Sequence, residues 1–87
     1  LILDVKKHRV TFKGNELTLA LKEFELLKLL MGNQGRVYRR EELLNSIWGY
    51  EYYGDTRTVD VHIHSLRKII GKVRIATVRG IGYKYGG

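Results

Sequence analysis

The sequence predicts a small α+β domain in which a short antiparallel sheet precedes three helices and a closing hairpin. Two periodicities lead to this prediction. Apolar and polar residues alternate near both ends of the chain, as they do in half-buried strands. In the middle of the chain, apolar residues recur every three or four positions, as they do on one face of a helix. A length of 87 residues is sufficient for one such domain and too short for two.

The composition excludes several classes of protein. Hydrophobic residues make up 44% of the chain, and 29% of residues are charged with no Pro, which argues against a linker or a disordered tail. The absence of Cys excludes disulfide scaffolds, thiolate zinc sites and thiol nucleophiles. No apolar run approaches the roughly 18 residues of a membrane span, and no signal peptide opens the chain. Because Leu1 already falls within a predicted strand, we expect the chain to be part of a longer protein.

The first strands are predicted from three alternating pairs of apolar residues. Lys13-Gly14-Asn15-Glu16 lies between the last two pairs and has the composition of a turn, so a β-hairpin is predicted there. The resulting sheet has an apolar face that must pack against other elements. The pairs are Leu1 and Leu3, Val10 and Phe12, and Leu17 and Leu19.

The first two helices are predicted over 21–31 and 41–48. The first has an apolar face broad enough for a central helix in contact with both the sheet and other helices. A short extended link at Val37 and Tyr38 separates the two helices, and a loop is predicted over 49–55. The broad apolar face consists of Leu21, Phe24, Leu27, Leu30 and Met31, widened by Leu26 and Leu29.

The third helix is predicted over 56–70 and has two contrasting faces. Asp55 or Thr56 can cap its N-terminus. Four apolar residues lie within about 60° of one another around the helix axis and form a stripe suited to burial. The stripe is Val59, Ile63, Leu66 and Ile70, whereas the opposite face carries Arg57, Val61, His64 and Lys68, flanked by Asp60, Ser65 and Arg67.

The last element is a hairpin predicted over 73–85, which bends at Arg79-Gly80-Ile81-Gly82. A helix, a short link, a second helix and an Arg-tipped hairpin form a winged helix-turn-helix. An Arg in such a wing can enter a narrow minor groove, where the negative potential is enhanced. The simpler alternative is an exposed turn in which Arg79 has no partner and Gly80 and Gly82 serve turn geometry alone.

Positive charge is concentrated in the last third of the chain. Residues 57–87 contain seven Lys and Arg and one Asp, a balance of +6, whereas residues 1–56 contain nine Lys and Arg and eight Asp and Glu, a balance of +1. Segregation of this kind indicates a polar partner, and phosphate groups fit it best. General solubility, the alternative explanation, requires no segregation.

The third helix carries the residue types that read DNA directly. An α-helix fits the major groove, and Arg57 at the helix N-terminus can reach a phosphate or a guanine edge. Val61 offers a methyl surface to thymine, while His64, Ser65 and Lys68 can donate hydrogen bonds to bases or phosphates. The alternative is an ordinary solvated helix face.

Asp60 is the single acid within the basic region 57–87. We expect its carboxylate to orient Arg57 or His64 rather than to contact cytosine. If the helix face is only solvated surface, Asp60 and His64 form an ordinary pair one helical turn apart.

Catalysis and metal binding are not supported by the sequence. His62 and His64 lie about 160° apart around a helix, so they cannot bind one metal ion together. Ser46 and Ser65 lack a spaced His and carboxylate for a catalytic triad. A metal-dependent nuclease would need several carboxylates in the basic region. We therefore predict no enzyme activity, no cofactor and no metal site.

The segment DTRTVDVHIHSLRKIIG followed by TVRGIGYKY resembles the C-terminal effector domain of OmpR/PhoB-type bacterial response regulators. LKEFELLKLLMGNQGRVYRREELLNSIWG is similar to the first two helices of that family, and residues 8–19 are similar to its N-terminal hairpin. The resemblance implies that residues 1–87 form one winged-helix DNA-binding effector domain, with a phosphorylated receiver domain in the full-length protein. It implies sequence-specific binding of double-stranded DNA, with the third helix in the major groove and the wing at the minor groove.

The resemblance also implies which residues touch DNA. His64, Ser65 and Lys68 are also predicted DNA contacts, but on the ground of the helix face described above and not of the resemblance. In the third helix the matching positions are Arg57, Thr58, Val61, His62 and Arg67; Arg40 and Trp48 match backbone contacts of the second helix, and Thr77, Arg79 and Tyr83 match the wing contacts.

Further partners are implied by the resemblance alone. Regulators of this kind usually bind tandem direct repeats, and many recruit RNA polymerase through the loop that here contains Tyr50, Glu51, Tyr52 and Tyr53. A cognate histidine kinase acts on the receiver domain and not on this chain. The resemblance therefore implies a cytoplasmic bacterial protein that does not contact a membrane.

The sequence departs from the family pattern at two helix starts and on the third helix. Relatives often carry Ser or Thr at the positions of Ala20 and Arg39, and each lost cap costs about 1 kcal/mol. Glu23 still supplies the acid of a capping box after Ala20. Relatives often carry basic residues at the positions of His64 and Ser65, so the base preference need not follow theirs.

Several interpretations are left open by the sequence. Trp48 is either a core aromatic that also donates its indole N–H to phosphate or chiefly a DNA contact, and Tyr83 either packs behind the wing or contacts the DNA backbone. Tyr50, Tyr52 and Tyr53 either form an exposed patch for a partner or fold onto the core. For the whole domain, the alternative function is a protein-interaction winged helix that binds an acidic partner.

Overall fold

The structure, a computed structural model, describes residues 1–49 and 54–86. It contains two three-stranded antiparallel sheets and three helices, which is the predicted α+β winged helix-turn-helix. In chain order the elements are β1 (Ile2–Asp4), β2 (Arg9–Phe12), β3 (Asn15–Leu17), α1 (Leu21–Met31), β4 (Tyr38–Arg39), α2 (Arg40–Trp48), α3 (Arg57–Ile70), β5 (Ile75–Val78) and β6 (Gly82–Tyr85).

The N-terminal sheet has the strand order β1-β2-β3. Val10 in the central strand is paired with Leu3 on one side and Leu17 on the other. Because paired residues point to the same face of a sheet, these three side chains form one apolar surface. Val10 is buried on that surface, as the predicted packing requires.

The turn between β2 and β3 is shorter than predicted. Phe12 pairs with Asn15, which leaves only Lys13 and Gly14 in the turn, with φ values of 51° and 82°. A two-residue hairpin turn of this type needs positive φ at both positions. The predicted hairpin is confirmed, but Asn15 and Glu16 belong to β3 and not to the turn.

The C-terminal sheet has the strand order β4-β6-β5, and β5 with β6 forms the wing. The predicted extended link contributes β4, in which Tyr38 pairs with Tyr83 and Arg39 with Gly82. A Cβ atom at position 82 would lie 1.9 Å from the carbonyl oxygen of Tyr38. Gly82 therefore permits the close approach of two strands. The turn itself consists of residues 79–81.

Helices α1 and α2 begin with the acidic half of a capping box. The backbone N–H of Ala20 donates to Glu23 Oε1 at 2.8 Å, and that of Arg39 donates to Glu42 Oε1 at 2.9 Å. Neither helix has a side-chain cap from the residue that precedes it. The observed helices agree with the predicted bounds to within one residue.

The start of α3 is capped by Asp55. Its Oδ1 accepts a hydrogen bond from the backbone N–H of Arg57 at 3.0 Å. Thr56 already has helical backbone angles and makes no capping hydrogen bond with its side chain. Of the two predicted caps, Asp55 is therefore confirmed.

The core lies between the three helices and the two sheets. Leu26, which the sequence predicts at the margin of the apolar face of α1, is fully buried. Leu21, which the sequence predicts on that face, is 58% exposed. The prediction for Leu21 is wrong because burial along α1 begins only two residues further on, at Glu23. Within residues 1–49 and 54–86, no helix is long and apolar enough to cross a membrane. The predicted stripe of α3 is buried at all four positions, Val59, Ile63, Leu66 and Ile70.

Candidate nucleic-acid interface

The outward face of α3, formed by Arg57, Val61, His64 and Lys68, is exposed along the whole helix. Val61 leaves 61% of its surface accessible in the middle of this face. The face lies opposite the buried stripe, because residues three and four apart share one side of a helix. The predicted division of α3 into an apolar back and a cationic front is therefore confirmed.

Asp55 orients Arg57 at the start of this face. Its Oδ2 lies 3.0 Å from Nε and 2.9 Å from Nη2 of the guanidinium group, whose side chain stays 82% exposed. The backbone hydrogen bond from Arg57, followed by the side-chain hydrogen bond, lowers the pKa of the Asp55 carboxyl below its ordinary value. The helix N-terminus thus presents an oriented guanidinium group.

Asp60 has different partners from those predicted. Its Oδ1 accepts from Arg40 Nε at 3.0 Å, and its Oδ2 forms an ion pair with Nη2 of the same guanidinium group. The hydroxyl of Tyr83 donates to Oδ1 at 2.6 Å. The expectation that Asp60 orients Arg57 or His64 is therefore wrong, because its carboxylate is bonded to side chains from α2 and the wing.

Tyr83 packs behind the wing, which is one of its two predicted positions. Its side chain is 8% exposed, and the guanidinium carbon of Arg67 lies 5.4 Å from the centre of its ring. Burial, followed by the hydrogen bond to Asp60, raises the pKa of the Tyr83 hydroxyl to about 12. Tyr83 is therefore a neutral hydrogen-bond donor that joins the wing to α3.

Arg67 makes a second connection between α3 and the wing. Its Nε and Nη2 donate to the carbonyl oxygen of Ile75 at 3.1 and 2.7 Å. Nη2 also donates to Thr77 Oγ1 at 2.8 Å. Four predicted DNA contacts are thus bonded to other groups of the domain. We call the connected set the polar interlock: Arg40, Asp60, Arg67, Thr77 and Tyr83.

His62 and Trp48 pack against each other between α2 and α3. The ring centres are 4.9 Å apart in an edge-to-face arrangement, and Trp48 also packs against the core. His62 Nδ1 lies 2.8 Å from the carbonyl oxygen of Thr58, one helical turn earlier. Four predicted DNA contacts are thus partly buried, in contrast with the exposed outward face: Trp48, Thr58, His62 and Ser65.

An open groove of about 590 Å³ joins α2, α3 and the wing. Asp60 lies on its α3 side, while Gly80 and Ile81 border it from the wing turn. The neighbouring residue in that turn, Arg79, is exposed. The groove therefore lies between the first turn of α3 and the turn of the wing that carries Arg79.

A second depression, of about 350 Å³, lies at the C-terminal end of α3. It is lined by His64, Arg67 and Lys68 of the helix, and by Lys72 beyond it. Lys72 lies beyond the predicted helix and is not among the predicted contacts. The signal that points to it is its place in the cationic last third of the chain, directly after α3.

The proposed RNA polymerase contacts at Tyr50, Glu51, Tyr52 and Tyr53 lie outside the described residues. In residues 1–49 and 54–86, no group of three or more His, Asp or Glu side chains is arranged to hold a metal ion.

Comparison with known proteins places the chain among bacterial regulators. Residues 14–85 match the model of the family described as "Transcriptional regulatory protein, C terminal". The chain is 48% identical over 90 residues to the sensory transduction protein RegX3 of Mycobacterium tuberculosis, covering 98% of this chain and 40% of RegX3. It is 44% identical over 88 residues to the phosphate regulon transcriptional regulatory protein PhoB of Pseudomonas aeruginosa, covering 98% of this chain and 38% of PhoB. The chain thus spans less than half the length of these relatives.

Solved structures share the whole fold. The DNA-binding domain of Bacillus subtilis CssR superposes with a TM-score of 0.91 at 33% identity, covering 97% of both chains. The RstA DNA-binding domain of Klebsiella pneumoniae, in complex with the RstA box, gives a TM-score of 0.86 at 32% identity, covering 97% of this chain and 88% of that one. The response regulator DrrB of Thermotoga maritima, an OmpR/PhoB homologue, gives 0.90 at 37% identity, covering 98% of this chain and 41% of DrrB.

Proposed function

This chain belongs to the family of C-terminal domains of transcriptional regulatory proteins, and we propose that it binds double-stranded DNA sequence-specifically as the output domain of a two-component regulator. It is not an enzyme, since the family consists of transcription regulators. The observation that carries the proposal is the exposed, cationic outward face of α3, together with the exposed Arg79 in the wing turn. Because bacterial DNA lies in the cytoplasm, this function places the protein there.

In the proposed complex, α3 lies in the major groove with its outward face toward the bases. Arg57 is oriented by Asp55 to donate to a phosphate or a guanine edge, where the amides of the helix N-terminus also favour phosphate. Val61 meets the methyl group of a thymine, while His64 and Lys68 donate hydrogen bonds further along the groove. Lys72 extends the phosphate contacts past the end of the helix.

The wing engages the neighbouring minor groove. Arg79 stands in the exposed turn between β5 and β6, next to Gly80 at a φ of 75°. An Arg inserted into a minor groove is favoured where the groove is narrow, which is typical of A·T-rich sequence. The wing therefore contributes a preference for base composition beside the sequence read by α3.

The full-length protein is proposed to have further partners. By analogy with the longer relatives, it contains a receiver domain that a cognate histidine kinase phosphorylates. The domain is proposed to bind tandem direct repeats. RNA polymerase is a proposed contact of the loop that contains Tyr50, Glu51, Tyr52 and Tyr53.

Selection from a randomised duplex pool, followed by sequencing, tests the proposal. We expect enrichment of a short motif repeated at about one helical turn, which would also identify the operator. With about five phosphates neutralised, log K should fall with a slope near −4.5 against log salt concentration. Salt-sensitive binding without enrichment would contradict sequence-specific recognition and favour an acidic protein partner.

A further inference from the structure

We propose that Asp60 is a positioning residue that determines specificity by holding the wing and α2 at a fixed angle to the recognition helix. The inference rests on the proposed DNA-binding function. It assigns a role to the one acid of the basic region, which no direct contact with a phosphate explains.

The carboxylate of Asp60 lies on a surface otherwise suited to phosphates. Residues 57–87 contain seven Lys and Arg and no other acid, and an uncompensated carboxylate there would repel DNA. Arg40 compensates this charge through two contacts from one guanidinium group. Such bidentate pairs fix the relative orientation of the two side chains as well as the distance between them.

Asp60 connects elements that are distant in sequence. Arg40 lies at the start of α2 and Tyr83 in β6, and both bond to the same carboxylate in the first turn of α3. Arg67 makes a separate connection from later in α3 to the backbone of Ile75 and the side chain of Thr77, both in β5. Two connections from different turns of α3 to different strands set the angle of the wing, not only its distance.

The fixed angle matters because the helix and the wing enter different grooves. The distance and angle between a major groove and the next minor groove depend on the local shape of the duplex. A rigid pair of reading elements engages both grooves only where this shape fits. A wing that is free to move still contacts phosphates on any duplex, but the domain no longer binds the duplex of matching shape more tightly than others.

A purely electrostatic role for Asp60 makes a different prediction. If the carboxylate only repels phosphates, then removing it strengthens binding to every duplex by a similar factor. If it positions the wing, its removal lowers the ratio between the affinity for the selected duplex and the affinity for a scrambled duplex. The specificity ratio therefore separates the two roles, whereas affinity for one duplex does not.

The test uses Asp60→Asn with Glu41→Gln as the matched control. Glu41 borders the same groove from α2, is exposed, and undergoes the same change of charge outside the polar interlock. For Asp60→Asn we expect the specificity ratio to fall about tenfold, the scale of losing one charged hydrogen-bonded contact. For Glu41→Gln we expect both affinities to rise together, with the ratio unchanged within about twofold.

Tyr83→Phe provides a second variant that leaves the net charge unchanged. It keeps the ring beneath Arg67 and removes only the hydroxyl that donates to Asp60. We expect the ratio to fall about threefold to tenfold. In the double variant with Asp60→Asn, it should fall no further than in the stronger single variant, because contacting residues are not additive. Should Asp60→Asn fail to show a cooperative thermal transition, Tyr83→Phe decides alone.

Each outcome is decisive. Lowered ratios in the interlock variants with an unchanged ratio in Glu41→Gln support the positioning role. A discriminating wild-type domain whose ratio survives both Asp60→Asn and Tyr83→Phe overturns the positioning role and leaves the proposed function intact. A wild-type domain that binds selected and scrambled duplexes equally overturns the proposed function and the positioning role with it.

Discussion

The outward face of α3 and the polar interlock differ in how their side chains are bonded, although both contain residues that the family resemblance assigns to DNA. The side chains of the outward face are exposed, whereas those of the interlock bond to one another and to the wing backbone. An exposed cation can follow the irregularities of a duplex. A side chain already bonded within the domain acts mainly by fixing geometry, so the two regions make distinct contributions to recognition.

The largest disruption of the interlock is expected from Gly82→Ala. The added Cβ would lie 1.9 Å from the carbonyl oxygen of Tyr38, so β4 and β6 must separate and carry Tyr83 with them. We expect the free energy of unfolding to fall by about 3 kcal/mol or more in urea titrations.

Gly80→Ala is the matched control within the same hairpin. A Cβ there meets nothing within 4 Å, and only its φ of 75° is unfavourable. The expected cost is about 1 kcal/mol. Equal destabilisation by the two substitutions would contradict the role assigned to Gly82.

Arg79→Ala is expected to weaken DNA binding without weakening the fold. The side chain is exposed in the wing turn, so the melting temperature should not change. Affinity for an A·T-rich site should fall by about 1–3 kcal/mol in fluorescence anisotropy. Affinity that survives this substitution would show that the wing does not enter the minor groove.

Arg67→Ala, unlike Arg79→Ala, is expected to weaken the fold. It leaves the carbonyl oxygen of Ile75 and the hydroxyl of Thr77 without their donor, so the free energy of unfolding should fall by about 1–3 kcal/mol. Lys68→Ala, on the exposed face beside it, should change stability by less than about 0.5 kcal/mol. Chemical denaturation of both variants measures this difference, which vanishes if Arg67 is bonded to DNA alone.

A smaller effect is expected from the titration of Tyr83. Its pKa is raised from 10.0 to about 12, so the folded state favours the neutral hydroxyl. The associated stabilisation is complete below pH 10 and is lost as the pH rises toward 12. Wild type should therefore lose more unfolding free energy than Tyr83→Phe across this window. Parallel losses would contradict the raised pKa, which burial and then the hydrogen bond to Asp60 produce.

Local patterns in the sequence were sufficient for the helices and for the two faces of α3. The apolar stripe from Val59 to Ile70 has a period of 3.6 residues, and that period alone determines which side is buried. The exposed positions of Arg57, Val61 and His64 follow from the same geometry. Such features depend on residues within a few positions of one another.

Features that depend on distant residues were not predictable in this way. The strand β4 has only two residues, and nothing near it in sequence indicates that it pairs with β6. Rules of helix spacing predict Arg57 or His64 as the partner of Asp60, because these rules consider only neighbours on one helix. Its actual partners, Arg40 and Tyr83, are 20 and 23 residues away. Tertiary packing selects such pairs.

The division between direct reading and positioning is tested most directly by comparing the sequences that two variants select from one randomised pool. His64→Ala alters the outward face, and Tyr83→Phe alters the polar interlock. We predict that His64→Ala changes the preferred bases at one or two positions, because a hydrogen-bond donor to a base edge is lost. Tyr83→Phe should select the same bases in the major groove with weaker overall enrichment. An unchanged motif for His64→Ala together with altered major-groove bases for Tyr83→Phe would contradict this division.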